Sequence, residues 1–229
     1  MRALILVFFM FVSPAAVAES GGWAIPGPPG AIAVSYPNDL AASDNDLWEV
    51  CRGRPSADTI AACTQIIERG GLLRTRRLAT AYYLRGQALF LLGENSTAIS
   101  DFSRAIRLSP RMGLAYMLRG SAFAIDGDLD AALADLTNAI SILPDNAQVQ
   151  LDRGRVYLAK GDLVRASRDI DRAIELDPMS AEALAMRGAI KEYQGRPREA
   201  LADFDAALAI DPDLPMALHG HARLAPMVQ

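Results

Sequence analysis

Arginine and aspartate recur in this sequence at fixed intervals, in a pattern that could bind an anion or form ion pairs. Four arginines follow one another at equal spacing along the chain. Each of them is followed, at a shorter spacing that is also constant, by an aspartate. The pairs are Arg85 with Asp101, Arg119 with Asp135, Arg153 with Asp169, and Arg187 with Asp203. Arginines without partners could form a ladder for phosphate or carboxylate ligands, but a charge near a helix interface needs a partner. Since an aspartate accompanies every arginine, the pattern favours structural ion pairs.

Other residue types that support catalysis or metal binding are not patterned in this way. The two histidines, His219 and His221, point in different directions if they lie on one helix, and no cysteine or acidic residue is spaced with them as a metal ligand. The sequence contains no phosphate-binding glycine loop, paired-histidine zinc motif or Gly-x-Ser-x-Gly motif. We therefore predict no catalytic residue, no cofactor and no metal, and we do not expect an enzyme.

The arginines are one column of a sequence repeat that includes many other positions. Its period is the number of residues from Arg85 to Arg119. Four stretches between Ala79 and Leu214 superpose without gaps at this displacement. A period of about 34 residues is typical of a stacked-repeat architecture. Five further columns repeat at this period, two of glycine, two of alanine and one of proline. They are Gly86, Gly120, Gly154 and Gly188; Gly93, Gly127, Gly161 and Gly195; Ala98, Ala132, Ala166 and Ala200; Ala105, Ala139, Ala173 and Ala207; and Pro110, Pro144, Pro178 and Pro212.

Each repeat is predicted to be a pair of short amphipathic helices. In the repeat 113–146, apolar residues recur at helical spacing on both sides of Gly127. Gly127 suits the left-handed residue that ends a first helix, Asp128 can cap the second helix, and Pro144 stops it because proline has no N–H to donate. One such pair cannot bury both of its apolar faces, so neighbouring pairs must stack.

These columns resemble the tetratricopeptide repeat (TPR) family, whose helix-turn-helix unit has the same length. The large apolar residue between the two alanines, present as Phe102, Leu136, Ile170 and Phe204, also matches the family. The resemblance implies an all-α fold, a right-handed α-solenoid of stacked helix-turn-helix units. The sequence departs from the family in its arginine column, which is usually aliphatic. It also departs at Gln150 and Lys191, which replace large apolar residues and suggest looser packing there.

The repeats divide the chain into segments. We predict four TPR units, at 79–112, 113–146, 147–180 and 181–214. End repeats must cover an open face, so the flanking segments are interpreted as caps. These are a shortened helical hairpin at 44–78 and, at 215–229, a helix ended by Pro226 with a short tail.

Residues 1–18 are predicted to be a signal peptide. Arg2 precedes an apolar run, and Ala16-Val17-Ala18 has the form that signal peptidase cleaves. The run is short for a permanent membrane span, although an uncleaved tether is the alternative. Residues 19–43 are rich in Gly and Pro and are predicted to be a flexible leader. The chain is thus interpreted as an exported TPR protein of bacterial type, periplasmic or secreted, with no stable membrane insertion after cleavage.

The two cysteines, Cys51 and Cys63, both lie in the predicted N-terminal cap. In an exported chain a disulfide is the first interpretation. Closing a loop of about a dozen residues would contribute roughly 3 kcal/mol. Two free buried thiols or a redox pair are the alternatives, although the spacing is not Cys-x-x-Cys.

The resemblance also implies a site, because TPR proteins bind peptides or helices in the concave groove lined by their first helices. These groove columns are apolar in the first three repeats and acidic in the fourth, which suits an apolar ligand with basic residues at one end. The Lys and Asn positions that clamp a C-terminal carboxylate in some family members are not reproduced. The residues predicted to line the groove are Tyr83, Gln87, Phe90, Leu114, Met117, Ser121, Leu151, Arg155, Leu158, Glu182 and Glu192.

The sequence therefore predicts a non-catalytic protein–protein interaction scaffold or adaptor. It would bind peptide or helical segments of an unidentified protein partner in the groove and assist the assembly of an envelope complex. A net charge of −4 argues against a nucleic-acid ligand, which calls for a broad basic face. The alternative is a structural protein that self-associates into a homo-oligomer through the groove or the end helix.

Overall fold

The computed structural model describes residues 44–69 and 75–228. Within these ranges the chain forms eleven α-helices and no β-strand, as the all-α prediction requires. The predicted signal peptide and leader lie outside the described residues. The helices are α1 (Asp44–Cys51), α2 (Ala57–Glu68), α3 (Thr75–Leu91), α4 (Asn95–Leu108), α5 (Gly113–Ile125), α6 (Leu129–Ile142), α7 (Ala147–Ala159), α8 (Leu163–Leu176), α9 (Ala181–Tyr193), α10 (Pro197–Ile210) and α11 (Pro215–Val228).

The helices belong to two compact units that divide after Pro110. The first unit contains α1 to α4, and the second contains α5 to α11. Helices pack in consecutive pairs, namely α1 with α2, α3 with α4, α5 with α6, α7 with α8 and α9 with α10.

A glycine with positive φ ends the first helix of each repeated pair. The φ angles of Gly93, Gly127, Gly161 and Gly195 lie between 75° and 86°, in the left-handed region that glycine adopts without steric cost. The second helix then begins within a few residues. The side chains of Asp128 and Asp162 cap α6 and α8 by accepting hydrogen bonds from the backbone amides of Ala131 and Arg165, respectively. These local signals explain why each repeat folds as a hairpin.

The other repeated glycine allows the two helices of a hairpin to approach closely. A Cβ atom added at Gly120 would lie 2.9 Å from Cγ of Leu136, and one added at Gly154 would lie 2.9 Å from Cγ1 of Ile170. Leu136 and Ile170 are completely buried. The glycine therefore makes room for the large apolar side chain of the second helix, and a larger residue would force the helices apart.

One core cluster of the first unit is centred on the α1–α2 hairpin. Trp48, Cys51, Cys63 and Ile66 are buried together and contact Ala81 of α3. Helix α3 begins at Thr75, ahead of the predicted start of the first repeat at Ala79. The cap thus packs directly on the first helix of that repeat.

In the second unit, consecutive hairpins stack in chain order. Val149 and Val156 of α7 join the core of the α5–α6 hairpin. Ala183 and Met186 of α9 join the core around Ile170. Helix α11 packs on α10 in the same way and continues through Pro226 to Val228, contrary to the prediction that Pro226 ends it. A proline in the last turn removes only one helical hydrogen bond, so the helix tolerates it there.

Candidate interaction surface

Each repeated arginine forms an ion pair with the aspartate of its own repeat, across the two helices of its hairpin. The pairs are Arg85–Asp101, Arg119–Asp135, Arg153–Asp169 and Arg187–Asp203. Nε donates to Oδ2 at 2.7 to 3.0 Å, and Nη2 donates to Oδ1 at 2.8 to 2.9 Å. The aspartate hydrogen bonds raise the pKa of Arg85, Arg153 and Arg187. Because two N–H groups of each guanidinium bind an aspartate, the column is a structural element and not a ladder for anions.

Aromatic rings support three of these arginines. The guanidinium carbons of Arg85 and Arg119 lie 5.7 Å from the ring centres of Tyr82 and Tyr116, which is within cation–π range. In the third hairpin, where Gln150 replaces this tyrosine, Arg153 lies 5.8 Å from the ring of Tyr157.

The fourth hairpin replaces the aromatic support by a second cation. Nζ of Lys191 lies 2.7 Å from Oδ2 of Asp203, and this oxygen also accepts the hydrogen bond of Arg187 Nε. The Lys191 side chain is only 18% exposed. Lys191 is therefore not a packing defect, as the sequence comparison suggested, but a second partner for the buried carboxylate.

The predicted groove residues of the first unit lie on α3. Tyr83, Gln87 and Phe90 are all partly buried. The ring of Tyr83 lies 6.3 Å from that of Phe102, and burial raises the pKa of its hydroxyl. Apolar surface on this helix continues at Leu91, which is exposed.

In the second unit, polar contacts join the first helices side by side. Oγ of Ser121 on α5 lies 3.3 Å from Oδ2 of Asp152 on α7. Arg155 on α7 forms an ion pair with Glu182 on α9, and Nη2 of Arg223 on α11 donates to Oε2 of Glu192 on α9 at 2.7 Å. The predicted groove residues Leu114, Met117 and Leu158 lie on the same helices, and each is at least partly exposed. We call the surface formed by these residues the first-helix face.

Leu151 was predicted to line the groove, but it is only 2% exposed. Its side chain packs in a core with Ile170 of α8 and with Met186 and Ile190 of α9. A side chain covered by its own neighbours on α8 and α9 is not accessible to a ligand in this conformation. Leu151 therefore belongs to the core that stacks the third hairpin on the fourth.

Asp152 was not predicted as part of the site, although it lies at the centre of the polar contacts. Its carboxylate accepts hydrogen bonds from Nε2 of Gln148 at 2.8 Å and from Nη1 of Arg155 at 3.0 Å. Burial raises the pKa of Asp152, and the nearby Arg155 opposes this shift. The separation of Ser121 from Asp152 is not the repeat period, so the repeat alignment does not bring the two into one column.

The two glutamates predicted to line the groove in the fourth repeat are not free charges. Glu182 pairs with Arg155, and Glu192 pairs with Arg223. The first-helix face is consequently less acidic than the sequence suggested, because each glutamate has a cationic neighbour.

The cysteines of the cap form a disulfide. The Sγ atoms of Cys51 and Cys63 are bonded, and both side chains are fully buried. In the described ranges, no cluster of three or more His, Cys, Asp or Glu residues is arranged to hold a metal ion. In the same part of the chain, no helix has the length and apolar character needed to cross a membrane.

Family models match the repeated part of the sequence. Three models, each described as tetratricopeptide repeat, match residues 83–147, 123–190 and 181–214. Together they span more than half of the 229 residues. The chain belongs to the tetratricopeptide repeat family. Among curated proteins no significant match to this TPR chain is found.

Solved TPR structures share the fold. MamA from Desulfovibrio magneticus RS-1 is 17% identical, with a TM-score of 0.63 over 75% of this chain and 97% of that chain. YrrB, described as a TPR protein with an unusual peptide-binding site, is 22% identical, with a TM-score of 0.59 over 80% of this chain and all of its own. A thermophilic TPR protein of Thermus thermophilus is 22% identical, with a TM-score of 0.57 over 80% of this chain and 94% of that chain. These likenesses confirm the predicted fold class, an α-solenoid of TPR units.

Proposed function

We propose that this TPR protein is a non-catalytic scaffold that binds a segment of a partner protein on the first-helix face. The observation that carries the proposal is the combination of partly exposed apolar side chains with polar groups that already have partners. Leu114 is 40% exposed, and Met117 lies one helical turn further along α5. An apolar surface presented on rigid, stacked helices suits a peptide or an amphipathic helix.

The pairing of the polar groups indicates what kind of segment binds. Asp152, Arg155 and Glu182 satisfy one another, so a ligand that contacts them must first displace an existing ion pair. The Asp152 side chain is 12% exposed, so breaking its pair with Arg155 would leave a largely buried carboxylate without its cation, which is costly. The binding energy therefore comes mainly from apolar side chains placed on Leu114, Met117 and Leu158. This proposal replaces the expectation of basic residues at one end of the ligand.

A library of random peptides displayed on phage tests this surface. We expect the wild-type chain to select peptides with two or more large apolar residues at helical or extended spacing. Leu114→Glu and Met117→Glu should each reduce the affinity for selected peptides at least about tenfold, since charge is placed where apolar groups dock. Binding is measured by fluorescence anisotropy with synthetic copies of those peptides.

Val164→Glu is the matched control, because Val164 is 75% exposed on α8, a second helix. This variant should bind the selected peptides like the wild type. All three variants are compared by circular dichroism to establish that they remain folded. Equal binding by Leu114→Glu and the wild type would exclude the first-helix face as the site. Light scattering distinguishes the alternative, since a monomeric chain is inconsistent with a self-associating structural protein.

We further propose that the chain is exported and acts in the assembly of an envelope complex. The support for export is the sequence of residues 1–18, whose apolar run and Ala16-Val17-Ala18 form a signal-peptide pattern. Mass spectrometry of the protein isolated from its native source should find a mature N-terminus at Glu19. An N-terminus at Met1 would contradict cleavage of this segment.

A further inference from the structure

Helix α11 has the position and register of a first helix of a further repeat. Leu218 and Ala222 follow Leu184 and Gly188 of α9 by one repeat period. The inner side of α11 packs on α10, where a Cβ atom added at Gly220 would lie 2.4 Å from the ring of Phe204. Helix α11 therefore approaches the fourth hairpin closely, as a stacked helix does.

The opposite side of α11 differs from every other first helix of the second unit in being exposed. Leu184 on α9 is 7% exposed, whereas Leu218 in the same column is 44% exposed. Gly188 is buried against Phe204, whereas Ala222 is exposed. Within the described residues, no second helix packs on this side of α11. We call the surface of Leu218, His221, Ala222 and Ala225 the α11 outer face.

The charge of α11 complements the kind of helix that covers this position elsewhere. Helix α11 contains no acidic residue, and His221 is the basic residue of its outer face. Arg223 is already paired with Glu192 on α9. His221 occupies the arginine column, and its Nε2 lies 3.4 Å from Oδ1 of Asp205 on the preceding helix. Arg187 makes the equivalent contact to Asp171 at 3.7 Å and, in addition, binds Asp203 of its own second helix. A covering helix would thus bring a carboxylate to the remaining side of His221.

We propose that the α11 outer face binds an amphipathic helix of a partner protein. We expect the partner helix to carry the pattern that the second helices of the four repeats share. This pattern is a small residue, an aspartate three positions later, a large apolar residue directly after the aspartate, and a small residue three positions further. In α8 these residues are Ala166, Asp169, Ile170 and Ala173, and all four are buried.

A second copy of the chain is a poorer occupant than such a partner helix. Pairing two α11 helices through this face would bring no carboxylate to His221, because α11 contains no acidic residue.

The probe for this site is a synthetic peptide of the α8 sequence, residues 163–176, held helical by a hydrocarbon link between positions 164 and 168. These two positions are exposed on α8, so the link lies away from the docking side. We expect saturable binding to the full chain, measured by fluorescence anisotropy. Ala222→Glu should weaken it roughly tenfold or more, because it adds bulk and a charge that repels the aspartate of the peptide.

Two further variants test the charge pairing and one controls for position. His221→Arg restores the residue of the repeat column and should strengthen binding about three- to tenfold, since arginine is charged at every pH and bidentate. An Asp169→Asn peptide should lose that gain. Ala61→Glu, at an exposed alanine on α2, should leave binding unchanged.

Three results would overturn the proposal. The first is no saturable binding of the peptide at millimolar concentration, and the second is equal binding by the wild type and Ala222→Glu. The third is a dimer of the chain alone that Ala222→Glu dissociates, which would show that a second copy occupies this face.

Discussion

Arg119 on α5 and Asp135 on α6 are joined by two hydrogen bonds, of 2.7 and 2.8 Å, across the interface of one hairpin. The aspartate side chain is 6% exposed and the arginine side chain 19% exposed. The same relationship recurs in every repeat, so it fixes the register of each first helix against its second helix. Replacing a buried ion pair by apolar residues of similar volume often leaves stability unchanged, whereas removing one partner alone is costly.

Removing the arginine alone should be more damaging than removing the whole pair. We expect Arg119→Met to lower the free energy of unfolding by about 3 to 5 kcal/mol, because Asp135 would remain buried without its cation. The double variant Arg119→Met with Asp135→Leu should recover much of this loss. Arg168→Met, at an exposed arginine of α8, should change stability by less than about 0.5 kcal/mol. Urea denaturation measures all three, and equal losses in the single and double variants would disprove the pairing argument.

The fourth hairpin should tolerate loss of its arginine better than the second hairpin does. After Arg187→Met, Nζ of Lys191 still lies 2.7 Å from the Asp203 carboxylate and retains a counter-charge for it. We therefore expect a smaller loss of stability than for Arg119→Met. Adding Lys191→Met should produce a larger loss than the two single variants predict together, because the residues share one partner. Additive losses would indicate that Arg187 and Lys191 do not compensate for each other at Asp203.

Asp152 should make stability depend on pH in the direction opposite to most carboxylates. Burial raises its pKa in the folded state, so the folded chain retains this proton to higher pH than the unfolded chain does. Relative to Asp152→Asn, the wild type should be most stable below the unfolded pKa of about 3.9 and should lose this contribution as the pH rises through the folded pKa. Denaturation of both proteins from acidic to neutral pH measures how the difference in their free energies of unfolding changes with pH. A difference that increases with pH would contradict the raised pKa.

Gly220 should be necessary for docking of α11. A Cβ atom at this position would lie 2.4 Å from the Phe204 ring, which is itself 1% exposed and has little room to move. We expect Gly220→Ala to cost about 1 to 3 kcal/mol through overpacking, in spite of the higher helix propensity of alanine. Phe204→Leu in the same chain should recover part of this cost by removing ring atoms. If Gly220→Ala were stabilising on thermal denaturation, the close approach would be wrong.

The sequence alone determined the elements that lie within one repeat. Gly127, with its positive φ, and the Arg119–Asp135 pair are separated by fixed numbers of residues inside one hairpin. The same geometry recurs with every hairpin, so these features appear as columns at the repeat period. The TPR fold class could be predicted for this reason, before any contact was known.

Only the tertiary structure decided which side chains remain accessible on the first-helix face. Ser121 contacts Asp152 of the next hairpin, and Arg155 contacts Glu182 of the hairpin after that, and neither contact follows the repeat period. Leu151, chosen by its column, is covered by α8 and α9. Contacts between hairpins depend on the particular side chains that meet there, since burial is set by packing across elements and not by position within one of them.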